Sequence, residues 1–175
     1  MRITADNAEL SIQTFKEGLL ASVGHDLLFV VRGFSIDWDT NAGTLSGSCS
    51  VQDIELQCAL QSGRPAPDLL SSSDRQSIVR NMRSDVLKAA KFPALYASAA
   101  RMLEGDKLVP LELEIAGARR TIACTRTQDD NGWSLQANVH LPDFGIKPFS
   151  ALMGTLRVHP TVKVRLDVPA RPLGQ

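Results

Sequence analysis

The chain has 175 residues, 43% of them hydrophobic and 22% charged, with 19 Lys plus Arg against 19 Asp plus Glu. That length predicts one domain, 1–175, with room for a full core, and the composition excludes disorder, collagen-like repeats and coiled coils. Zero formal net charge supplies no global field for nucleic acid or an anionic membrane, so no nucleic-acid partner is expected and membrane contact is at most transient and local.

Residues 1–16 interleave polar side chains and offer no apolar core for a signal peptide. No stretch approaches the roughly twenty apolar residues of a spanning helix. The expected compartment is therefore the cytoplasm, or the periplasm if a leader has been removed. Cys49, Cys58 and Cys124 are odd in number and lack CxxC spacing, which fits buried free thiols in a reducing compartment.

In chain order, 2–13 and 19–23 are weak strand candidates. Phe34, Ile36 and Trp38 then alternate with Ser35, Asp37 and Asp39 in a strand over 27–38, and Thr40-Asn41-Ala42-Gly43 turns the chain. The apolar face of the next strand, 44–60, changes parity between Val51 and Ile54, which predicts a β-bulge near Gln52-Asp53. A Pro- and Ser-rich loop, 62–73, leads to the one break in the two-residue rhythm. Ile78, Met82, Val86 and Ala90 fall four apart, as on an amphipathic helix, with Ser73 and Gln76 as its capping box and Pro93 as its stop. Alternation resumes over 95–103, 111–115, 121–127, 133–141 and 156–168, with turns at Glu104-Gly105-Asp106 and Asp129-Asp130-Asn131-Gly132. The count is about eight antiparallel strands and one helix, which suits an up-and-down barrel or a sandwich, the helix covering an open end or a sheet face.

The sequence resembles the YceI-like family of polyisoprenoid- or lipid-binding β-barrels over nearly its whole length. The resemblance rests on Gly24-His25-Asp26-Leu27-Leu28-Phe29 with Gly33-Phe34, the helix end Val86-Leu87-Lys88-Ala89-Ala90-Lys91-Phe92-Pro93, the hairpin at Gly117, and Asp143-Phe144-Gly145-Ile146-Lys147-Pro148-Phe149-Ser150-Ala151-Leu152-Met153-Gly154. It implies an all-β, extended, lipocalin-like eight-stranded antiparallel barrel with one main helix. It also implies a lumen holding a long isoprenoid such as a quinone tail, often in a homodimer. Many relatives carry Arg-Asp and His-Leu pairs at the start of the helix, where this chain has Ser77-Ile78 and Arg80-Asn81, so contacts tied to those pairs do not transfer.

Eight strands make a barrel that is either filled by its own side chains or holds one slender ligand. Aromatics are only 5% of the chain, and small residues occupy inward positions at Gly47, Cys49, Ala97, Ala99, Ala123 or Cys124, and Ala137. On the residues alone the lumen is either filled or open, and the resemblance favours an open one. Candidate wall residues are Phe34, Ile36, Trp38, Leu113, Ile115, Trp133, Leu135, Val139, Val162, Val164 and Leu166, with Met82 and Val86 on a helical lid. Phe144, Ile146, Phe149 and Met153 border an opening or simply pack.

His25 and Asp26 are candidate headgroup contacts at the mouth, or else cap a turn after Gly24. Arg32 shares the parity of Phe34, so it either points inward as a headgroup contact or marks a bulge. Arg119, Arg120 and Arg126 read as a solvated hairpin, and His140 and His159 fall on the polar phase of their strands. No metal-ligand spacing, phosphate loop, nucleophile elbow or spaced carboxylate pair occurs. The leading expectation is a non-catalytic binding protein that needs no cofactor and holds an isoprenoid quinone or fatty lipid. The alternatives are a small hydrolase or isomerase using His25 and Asp26, and a filled barrel acting as an interaction module.

Overall fold

The structure is a computed structural model and describes residues 1–18 and 24–170, so the strand candidate at 19–23 lies outside the described residues. The chain is mostly β with one helix. In order the elements are β1 (Arg2–Thr4), β2 (Glu9–Thr14), β3 (Lys16–Glu17), β4 (Asp26–Val31), β5 (Phe34–Asp39), β6 (Thr44–Ser50), β7 (Ile54–Gln61), β8 (Arg64–Ala66) and α1 (Ser72–Asn81). There follow β9 (Ala94–Ala99), β10 (Leu108–Ile115), β11 (Ala118–Asp129), β12 (Gly132–His140), β13 (Ser150–Ala151), β14 (Leu156–Val158) and β15 (Thr161–Pro169).

The main sheet is curled, antiparallel throughout, and ordered β1-β5-β6-β9-β10-β11-β12-β15-β2-β4-β7-β8; β13, β14 and β3 form a second, small sheet. The main sheet thus has twelve strands, not the eight expected, and the physical reason is local. A turn at Asn7, whose amide donates to Thr4 O at 3.1 Å, separates β1 from β2. The 27–38 strand breaks at Arg32-Gly33, where the Arg32 amide donates to Asp53 O at 2.9 Å and a Cβ on Gly33 would stand 2.4 Å from Asp53 Oδ2. The 44–60 strand breaks at a single 3-10 turn, Val51–Asp53, capped by Ser50 Oγ accepting from the Gln52 amide at 3.1 Å. That turn stands where the sequence predicts a bulge. The register irregularity lies between Leu28 and Phe29, opposite Cys58 and Leu56.

The helix also differs from its expected bounds. Its capping box is Ser71 with Asp74, not Ser73 with Gln76: the Asp74 amide donates to Ser71 Oγ at 3.1 Å and the Ser71 amide to Asp74 Oδ2 at 3.2 Å. After Asn81 the chain widens into a π turn, Met82–Val86, closed by the Leu87 amide donating to Met82 O at 2.9 Å. Lys88 then takes a positive φ of 51°, which stops the helix well before Pro93. The alternating inward residues of the sheet form two adjoining cores. One runs from Ile3 through Trp38, Met102 and Leu135, and the other gathers Val139, Leu141, Phe144, Ile146 and Val162.

Candidate functional site

The inward residues do not fill the space they enclose. A cavity of about 320 Å³ runs inside the curled sheet beneath the helix. It exists because several inward positions carry little bulk: Gly47, Cys49, Ala97, Cys124 and Ala137 all line it. Gly47 has no room to be larger, since a Cβ there would meet Ile36 Cγ1 at 2.7 Å. The rest of the wall is mainly Leu, Ile, Val and Phe from the strands, and among the described residues no charged side chain lines it. Burial pushes the Cys49 and Cys124 thiols up to about 11, first through desolvation and, for Cys49, also through Asp53, so both present neutral sulfur to the interior.

Of the wall residues named from sequence, Phe34, Ile36, Leu113, Ile115, Leu135, Val139, Val162, Val164 and Leu166 line the cavity, and so do Met82 and Val86 from the π turn. Trp38, Trp133 and Phe144 do not. The two tryptophans pack edge to face, centroids 5.4 Å apart, beyond the cavity at the end where β5 turns into β6. Phe144 sits in the second core beside Val139 and Ile146. Phe149 reaches the cavity, whereas Met153 is fully exposed.

The tryptophan end is sealed by a residue that sequence reading assigns to solvent. Arg126 is 6% exposed, and its guanidinium carbon lies 5.2 Å from the ring centres of both Trp38 and Trp133. It donates to Leu103 O at 3.0 Å and Gln128 Oε1 at 3.2 Å, while Trp38 Nε1 donates to Met102 O at 3.0 Å. The parity it shares with Cys124 was the signal that it points inward. Arg119 and Arg120 do lie exposed on the same hairpin.

At the other end the closure is a helix, none of whose residues is fully buried. Ile78, Met82, Val86 and Leu87 turn toward the cavity. Among the described residues, the outer edge of β7 before its pairing with β8 has no strand beside it, and two arginines hold carbonyls of β7 and of the turn that precedes it. Arg75 Nη2 donates to Leu56 O at 3.0 Å and Gln57 O at 2.8 Å; Arg83 Nη2 donates to Gln52 O at 2.6 Å and Ile54 O at 3.2 Å.

The headgroup candidates are not in the cavity wall. Asp26 Oδ1 accepts from the Lys16 amide at 2.9 Å, a turn-fixing bond, and His25 is half-buried just before β4. Arg32 does not point inward: it is exposed and lies 3.6 Å from Glu55 at the break between β4 and β5. His140 is exposed and its Nδ1 lies 3.1 Å from Thr161 Oγ1. His159 stands 3.8 Å from Glu17. Among the described residues no helix is long and apolar enough to cross a membrane.

These features define a class: an antiparallel sheet curled around an apolar cavity, with one helix laid across it. Within that class the fold is that of YceI-like proteins. BcnA of Burkholderia cenocepacia superposes with a TM-score of 0.58 at 12% identity, over 94% of this chain and 96% of that one. The YceI protein of Campylobacter jejuni gives 0.52 at 14%, over 84% and 85%. A polyisoprenoid-binding domain from Saccharophagus degradans, implicated in plant cell wall breakdown, gives 0.50 at 10%, over 93% and 94%. No protein-family model and no curated protein matches the sequence.

Proposed function

We propose that this chain is a non-catalytic carrier or store of a long apolar lipid, an isoprenoid tail such as that of a quinone being the expected example. The observation that carries the reading is the cavity: about 320 Å³, walled mainly by apolar side chains, with no charged one among the described residues. An empty apolar void costs about 24 cal/mol per Å³ when carved from a packed core, so a space of this size is sustained by an occupant. The volume stands at the slender end of the roughly 300–1,000 Å³ of small-molecule sites, which suits a chain better than a ring system. The polyisoprenoid-binding neighbour of the same fold supports the assignment.

The same reading accounts for the strand count. β1 with β2, β4 with β5, and β6 with β7 are each one long strand bent at a kink, and β8 is an appendage. Counted so, eight long strands pair in succession and the last, β15, returns to β2, closing a barrel. Such a barrel leaves only short edges, such as the stretch of β7 that Arg75 and Arg83 cover, and keeps its lumen from water. The hydrolase or isomerase alternative draws no support from His25 and Asp26, neither of which lines the cavity.

Organic extraction of the purified chain followed by mass spectrometry tests the proposal directly. A series of ligands with one head and lengthening tails tests its physics. Each added methylene buried is worth about 0.8 kcal/mol, close to fourfold in affinity, until the cavity is full. A flat series, with no extractable lipid, removes the reading.

A further inference from the structure

We infer that the cavity selects an electrically neutral lipid whose uncharged polar end, a hydroxyl, ester, amide or carbonyl, is held by Asn81, and that it discriminates against a carboxylate or phosphate on the same tail. This rests on the lipid-binding reading and adds to it the chemistry of the ligand's head. Polar side chains enter the wall at only four described positions, Thr14, Ser48, Asn81 and Tyr96, and all four are uncharged. Ser48 and Tyr96 are exposed on the outer phase of β6 and β9, which leaves Thr14 and Asn81 as the half-buried ones.

Asn81 has the better chemistry of the two. It is the last residue of α1, and the π turn that follows keeps Met82, Val86 and Leu87 on the same cavity wall. Such one-turn widenings recur at functional sites. Its side-chain amide makes no hydrogen bond to any described residue, so a carbonyl oxygen and an NH₂ are both free for a guest. One amide therefore serves a hydroxyl, a carbonyl or an ester equally well.

Four cations close to this wall are already engaged: Arg75 and Arg83 hold backbone carbonyls of Gln52, Ile54, Leu56 and Gln57, Arg80 Nη2 donates to Ser77 Oγ at 3.3 Å, and Lys16 Nζ donates to Gly24 O at 3.0 Å. An anionic head drawn into this wall would lose its hydration and find dipoles instead of a countercharge, a cost the apolar tail has to overcome.

The test displaces an uncharged naphthylamine dye from the purified chain with dodecanol, methyl dodecanoate or dodecanoate at pH 8. Alcohol and ester should displace it at similar concentrations, and dodecanoate should require at least about tenfold more. Replacing Asn81→Leu should weaken the alcohol about fivefold relative to the dye, whose own affinity, measured on the variant, corrects for the changed wall and reports an intact barrel. Dodecanoate binding as well as the alcohol, an ester as poor as the acid, or an N81L variant with undiminished alcohol affinity would overturn the inference while leaving lipid binding intact. If the dye binds and none of the three lipids displaces it, the lipid-binding reading itself falls and takes this one with it.

Discussion

The two ends of the barrel-like sheet are closed by opposite means. At the tryptophan end the seal is part of the core: Trp38 and Met102 are 4% and 0% exposed, a guanidinium covers both indoles, and Trp38 Nε1 and Arg126 Nη1 donate to the backbone oxygens of Met102 and Leu103. At the helix end the seal is a separate segment with no fully buried residue, tethered by arginine side chains to backbone carbonyls along one edge of β7. A closure that shares its packing with the core opens only when the molecule unfolds. One that is half-buried and tethered by side chains opens locally. On the proposed function, the asymmetry assigns stability to one end and ligand passage to the other.

The largest break in that comparison is Trp38→Ala. It removes a buried indole, the edge-to-face pair with Trp133 and the bond to Met102 O together, and should cost about 3–5 kcal/mol in urea unfolding. A cost below about 1 kcal/mol would mean that the tryptophan end is not where stability resides. A matched pair then sharpens it, because the same truncation is available at both ends. Met102→Ala, at a fully buried site, should cost about 2–5 kcal/mol, whereas Met82→Ala, half-buried on the π turn, should cost about 1 kcal/mol and chiefly speed ligand release. Equal costs in denaturant melts would erase the distinction between the ends.

The difference between the ends was only partly legible in the sequence. Period-two alternation tells which face a residue takes but not how far along the barrel axis it sits. Phe34, Ile36 and Trp38 therefore read alike, although the first two line the cavity and the third caps it. Arg126 was hidden by chemistry rather than geometry: an arginine near Arg119 and Arg120 looks solvated, and its two aromatic partners lie on other strands. The four-residue spacing of Ile78, Met82 and Val86 placed the helix on the cavity, yet its cap, its π turn and its stop at Lys88 depend on backbone geometry that spacing does not encode. Strand continuity misled most: the kinks at Asn7 and Gly33 leave little trace in the alternation, and the parity change at Gln52-Asp53 reads as a bulge where the chain makes a 3-10 turn that divides the strand.

Between the ends, Ala137→Phe separates binding from folding. Ala137 is buried in β12 opposite Val164, and its side chain faces the void. Overpacking a solid core costs about 1–3 kcal/mol, but here the added ring enters vacant space, so the melting temperature should hold while lipid affinity drops at least about tenfold. Unchanged affinity with a lowered melting temperature would show that the occupant lies elsewhere.

The smallest expected effect probes how loosely the helix end is held. Ser71 Oγ accepts from the Asp74 amide, and the Asp74 carboxylate accepts from both the hydroxyl and the amide of Ser71. Those bonds, the hydroxyl's first, hold the Asp74 carboxyl below its usual range, with the nearby His25 adding a smaller push in the same direction. Because the folded pKa lies below the unfolded one, the carboxylate's contribution is present above the ordinary carboxylate pKa and is lost as pH falls through the depressed folded value. Ser71→Ala should therefore cost about 1 kcal/mol near neutral pH, as N-cap losses do, and the gap from the parent chain should narrow in melts below about pH 4. A gap that keeps its full width in acid would show that the hydroxyl supports the helix through the Asp74 amide alone. The carboxylate would then contribute nothing to holding the helix at the end where the proposed guest enters.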